Sequence, residues 1–78
     1  MEPFKVIGTQ SCPFCLRAKS LLENKELPHG YIDITHDEER RRELKSAGYK
    51  TVPQIWHGEA YIGGFEQLVS YLESQDGL

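Results

Sequence analysis

The chain has little of what marks a secreted, membrane-borne or nucleic-acid-binding protein. Only two of its 78 residues are cysteine, too few for the disulfide framework that holds small secreted domains together. No apolar run approaches the ~20 residues a membrane-spanning helix needs. The N-terminus lacks the basic-then-apolar layout of a secretory signal, so a cytoplasmic protein is expected. Cations are not in excess: nine Lys and Arg face twelve Asp and Glu, a formal net charge of −3, without the basic footprint that neutralises phosphates. The one cationic run, Arg40-Arg41-Arg42, is flanked by Asp37, Glu38, Glu39 and Glu43 and reads as a solvated helix face of mixed sign. There is no internal repeat and no low-complexity tract. One domain over residues 1–78 is expected, ordered throughout except for fraying over Ser74 to Leu78.

What is present alternates between strand and helix patterns. Phe4 to Gly8 is a short apolar run that reads as a buried strand. Pro13 is followed by Cys15, Ala18, Leu21 and Leu22 at helical spacing, which predicts a helix over Pro13–Lys25 with proline at its first position. Leu27-Pro28-His29-Gly30 reads as a loop, and Tyr31 to Ile34 as a second strand. Thr35 and Glu38 have capping-box spacing, so a second helix is expected to start there and to end near Gly48, a suitable residue just past a helix end. Its apolar stripe is thin: Leu44, Ala47 and the alkyl stem of Arg40. Val52 to Trp56 predicts a third strand, His57-Gly58-Glu59 a tight turn, and Ala60 to Ile62 the returning strand of a hairpin. Phe65, Leu68, Val69 and Leu72 form the cleanest amphipathic helix. The order βαβαββα implies an α/β fold: a parallel pair with a right-handed crossover, extended by a hairpin into a four-stranded mixed sheet covered by helices.

Chemistry concentrates at Cys12-Pro13-Phe14-Cys15. With Pro13 as first helical residue, Cys12 occupies the N-cap, beside unpaired backbone N–H groups and the positive end of the helix dipole. Such surroundings favour the thiolate, the form that attacks disulfides. Cys15 lies one turn further in, on the face of Ala18 and Leu22, where burial keeps it a thiol until Cys12 carries a mixed disulfide. A bridge between the two closes too small a loop to restrain the unfolded chain, so scaffolding is a poor explanation. Two others stay open. The spacing also occurs in zinc sites, although His29, His36 and His57 have no ligand-like spacing and read as surface or loop residues, so no metal site is expected. The cysteines could also be two buried, unreactive residues. Gly63-Gly64, before the last helix, lets backbone approach closely and leaves the amides of Phe65 and Glu66 free for an anion; alternatively it is a flexible hairpin exit.

Over essentially its full length the chain resembles the glutaredoxin family, a branch of the thioredoxin fold. The likeness rests on three segments in order: Cys12-Pro13-Phe14-Cys15, Thr51-Val52-Pro53-Gln54-Ile55 and Ile62-Gly63-Gly64-Phe65. It implies a dithiol thiol–disulfide oxidoreductase with Cys12 and Cys15 as catalytic residues, no tightly bound cofactor, and glutathione as reductant. It also implies a cis Val52–Pro53 bond presenting the Val52 backbone to the cysteinyl part of glutathione. Phe14, Thr51, Val52, Pro53, Gly64, Phe65 and Glu66 are the implied glutathione-binding residues, with Glu66 placed for the glutathione amino group. Two positions depart from the family pattern: Phe14 stands where tyrosine is usual, and Thr9 where a lysine commonly precedes the first cysteine by three, a charge Lys50 could replace.

The short length, Phe65 and Gln67-Leu68 resemble viral and bacterial redoxins that reduce ribonucleotide reductase, so disulfide-containing proteins, that reductase among them, are expected partners of a monomer. Competing readings are a redoxin recharged by thioredoxin reductase, a non-catalytic module binding iron–sulfur or zinc between protomers, and a purely structural interaction domain.

Overall fold

A computed structural model describes residues 2–76. Its elements are β1 (Phe4–Gly8), α1 (Pro13–Asn24), β2 (His29–Asp33), α2 (Glu38–Ser46), β3 (Gln54–His57), β4 (Ala60–Gly63) and α3 (Phe65–Asp76). The strands form one mixed sheet in the order β2-β1-β3-β4. β1 runs parallel to β2 and antiparallel to β3, and β3 pairs antiparallel with β4. The expected α/β architecture, βαβαββα, is the one observed.

Alternation along β1 divides the sheet into two faces. Phe4 and Val6 join Ile55 of β3 in a core closed by Ala18 and Leu22 of α1 and by Leu68 and Leu72 of α3, all at most 3% exposed. On the other face, Ile7, Ile32 and Trp56 meet Arg40 and Leu44 of α2 and its C-cap Ala47 around a shared cavity. This is the thin stripe expected from the sequence, and α2 buries none of its side chains.

Several boundaries differ from the sequence reading, and the larger differences have physical reasons. β2 begins at His29 and ends at Asp33, because all five residues of β1 find partners and Phe4 and Lys5 take His29 and Gly30; ladder pairing overrides the local Pro-Gly loop signal. β3 begins at Gln54, since the peptide bond before Pro53 is cis and proline has no N–H for the ladder. α2 is capped by Asp37, whose carboxylate accepts the Arg40 N–H at 3.0 Å. The Thr35 side chain is engaged elsewhere: its hydroxyl donates to Asp33 at 2.6 Å and accepts the Gln10 N–H at 2.8 Å. His57 is neither a turn nor a surface residue. It closes β3, stacks on Phe4 at 4.0 Å between ring centroids, and bonds through Nδ1 to the Tyr71 hydroxyl; His29 likewise lies in β2.

Gly48 takes a positive φ just past α2, as the sequence suggested. At the C-terminus, Ser74, Gln75 and Asp76 are helical, and the rest of the segment expected to fray lies outside the described residues.

Candidate active site

The first turn of α1 builds the reactive end. Pro13 is its first residue and Cys12 its N-cap, in extended conformation, and Cys12 Sγ accepts the Cys15 N–H at 3.2 Å. A sulfur in this place does what a Ser or Asp cap does for other helices. As a thiol, Cys12 points instead at the Val52 carbonyl oxygen, 3.8 Å away. The cis Val52–Pro53 bond implied by the resemblance is present.

Cys15 is fully buried while Cys12 is half-buried. Burial pushes the Cys15 thiol up to about 12, helped by the hydrogen bond it gives to the Cys12 sulfur and opposed by its contacts with the Thr9 backbone N–H and Tyr31 hydroxyl. The floor beneath it is Gly8. A Cβ there would lie 2.7 Å from Cys15 Cβ, Cys15 Sγ and Tyr31 Oη alike, so only glycine fits at this close approach.

All seven residues assigned to glutathione by resemblance, Phe14, Thr51, Val52, Pro53, Gly64, Phe65 and Glu66, line one groove together with Gln67. Phe14 is half-exposed on one wall, and Phe65, 6.0 Å away between ring centroids, stands on the other. Gln67 was not anticipated. Its Oε1 accepts the Gly64 N–H at 3.0 Å, the N-terminal half of a capping box, and its position three residues past the helix cap was the signal. The following amides of Phe65 and Glu66 belong to the first turn of α3, where α-helices lack internal acceptors.

Gln54 was missed too. Its amide is buried, donates to the Thr51 carbonyl at 2.8 Å and accepts from the Tyr61 hydroxyl, tying the Thr51–Pro53 loop to the hairpin. A glutamine inside an otherwise apolar strand could have flagged it. Thr9 and Lys50 line a neighbouring cavity with Thr51, Val52, Arg41 and Lys45, so Lys50 does lie beside the groove. Among the described residues no three His, Cys, Asp or Glu side chains cluster as metal ligands would, and no helix is long and apolar enough to cross a membrane.

The sequence profile of the family described as Glutaredoxin matches residues 4–62. The chain belongs to the glutaredoxin family. It is 44% identical over 69 residues to Glutaredoxin of Pseudomonas aeruginosa, covering 87% of this chain and 82% of that one. With Glutaredoxin 3 of Escherichia coli strain K12 it shares 34% identity over 79 residues, covering 100% of this chain and 94% of the relative. The match to the longer Glutaredoxin 1 of Rickettsia conorii, 39% identical, takes in 74% of this chain and 60% of that protein. Among solved structures, the dithiolic glutaredoxin of Trypanosoma brucei brucei superposes with a TM-score of 0.82 at 28% identity, covering 99% of this chain and 86% of the other. A buckwheat glutaredoxin–glutathione complex superposes with a TM-score of 0.76 at 25% identity, covering 96% and 70%. The fold is therefore the thioredoxin-like fold of glutaredoxins, and the chain is a thiol–disulfide oxidoreductase.

Proposed function

We propose that this glutaredoxin is a glutathione-coupled dithiol enzyme acting as a single domain, monomeric and cytoplasmic, on glutathione mixed disulfides and protein disulfides, that of ribonucleotide reductase among them. Cys12 Sγ attacks the substrate disulfide, one substrate sulfur leaves as a thiol, and the other stays bound to Cys12. Cys15 then attacks Cys12, the second substrate sulfur leaves, and the Cys12–Cys15 disulfide is returned to the dithiol by two molecules of glutathione. The two electrons that reduce the substrate thus come from glutathione.

The observation that carries this reading is the groove: seven residues scattered from Phe14 to Glu66 along the chain converge on it, and the Val52 carbonyl on its edge lies 3.8 Å from Cys12 Sγ. In this reading the cysteinyl backbone of glutathione pairs with Val52 as an added strand. Its γ-glutamyl carboxylate takes the Phe65 and Glu66 amides, and Glu66 meets the amino group.

Reduction of a glutathione mixed disulfide by single variants tests the assignment. Cys12→Ser is expected to lose all turnover, while Cys15→Ser keeps activity on the glutathione substrate and loses it on a protein disulfide that needs resolution. Activity retained by Cys12→Ser refutes the choice of nucleophile. Turnover driven faster by thioredoxin reductase than by glutathione would reassign the reductant.

A further inference from the structure

Resolution asks something of Cys15 that its surroundings make difficult. The sulfur has no exposed surface, and to attack it must become an anion where water cannot solvate it, so a protein donor has to do so. Three groups hydrogen-bond it: the Cys12 sulfur, the Thr9 backbone N–H and the Tyr31 hydroxyl. In the mixed disulfide Cys12 has no proton and only accepts. That leaves the Thr9 amide, fixed in the backbone, and the Tyr31 phenol, the one side chain of the three that can donate.

We propose that the Tyr31 hydroxyl is the side-chain donor to the Cys15 sulfur during resolution, joining the Thr9 amide by turning from the Thr9 carbonyl as negative charge develops. The inference rests on the assignment of Cys12 as nucleophile and Cys15 as resolving residue. Tyr31 is held in place by register: it pairs with Val6 across the parallel β1–β2 ladder, and the Lys19 ammonium sits 5.6 Å above its ring. Its hydroxyl donates to the Thr9 carbonyl at 2.8 Å in the resting state. The sulfur and the hydroxyl oxygen each lie 2.7 Å from the point a Gly8 Cβ would occupy, so the bare backbone of Gly8 is what lets them meet. Switching partners needs only rotation of the hydroxyl hydrogen. Burial, then the neighbouring Cys15 sulfur, pushes the Tyr31 phenol up to about 12, so it remains a donor across the working pH range.

The step balances. Cys15 Sγ forms a bond to Cys12 Sγ, the bond between Cys12 and the substrate sulfur breaks, and that sulfur departs with the electron pair and takes up the proton Cys15 gave up. Tyr31 neither gains nor loses a proton overall.

Stopped-flow reaction of the reduced protein with dithiobis(nitrobenzoate) separates the two attacks, since Cys12 releases the first thionitrobenzoate and Cys15 the second. Tyr31→Phe is expected to leave the first phase unchanged and to slow the second by roughly tenfold or more, the worth of one hydrogen bond to a charged group. An unchanged second phase, or both phases slowed equally, overturns the proposal. A wild-type protein whose first phase is lost with Cys15→Ser rather than Cys12→Ser would instead refute the underlying assignment. Should Tyr31→Phe not fold, 3,5-difluorotyrosine at position 31 keeps ring and hydroxyl while making the phenol more acidic. Its second phase is expected to fall away at a lower alkaline pH than that of the wild type, and superimposable pH profiles overturn the proposal.

Discussion

Burial separates the two sulfurs of the site: Cys15 has no exposed surface, whereas Cys12 caps the helix at the groove edge with a backbone N–H on its sulfur. The difference reaches folding as well as catalysis. The Cys15 thiol ionises at about 12 in the folded chain against an ordinary value of 9.0, so above pH 9 the unfolded chain releases a proton that the folded one keeps. The stability this contributes is fully present below pH 9 and is lost as pH rises toward 12, with a slope of at most ~1.4 kcal/mol per pH unit. Urea unfolding of the reduced protein should show this decline between pH 9 and 10, before Tyr31 adds its own, and Cys15→Ala should flatten it. Much at this scale was legible in the sequence. Pro13 alone placed Cys12 at a helix cap, and the i+3 spacing put Cys15 inside. Tyr31, Gly8 and Gln54 were not, because their roles arise from contacts between strands and helix far apart in the chain, and no local pattern encodes those.

Elements with one dominant local signal were read correctly, and elements with competing signals were misread at their ends. α1 and α3 carry a proline start or a clean apolar stripe, and both appear where expected. At α2 two candidate caps compete, and Thr35 loses to Asp37 because its hydroxyl and amide are already engaged with Asp33. The same contacts, led by the Thr35 hydroxyl, hold the Asp33 carboxyl below its usual range. Asp37→Ala is therefore expected to cost about 1 kcal/mol, the ordinary worth of a helix cap. Faster amide exchange should be confined to α2, with both thionitrobenzoate phases unchanged. Loss of catalysis in that variant would show that α2 positions the thiols.

For the whole molecule, one small core carries most of the stability. Phe4, Val6, Leu22, Ile55 and Leu68 are buried to 2% exposure or less in a chain of 78 residues. At ~0.05–0.15 kcal/mol per residue such a chain is stable by roughly 4–12 kcal/mol. Leu22→Ala, which opens a cavity between α1 and the sheet, should remove about 2–5 kcal/mol of that, read as a lower urea midpoint with an unchanged slope. An unaltered midpoint would mean that the core collapses around the gap.

The helix that buries nothing stands outside this economy. Because no side chain of α2 is fully buried, its solvent-facing positions can mutate with little penalty to folding. Yet Arg41 and Lys45 reach a hollow shared with Thr9, Thr51 and Val52. Selection can therefore retune the charge beside the Thr51–Val52 loop, which faces the reactive sulfur, through helix positions on which the core places little demand.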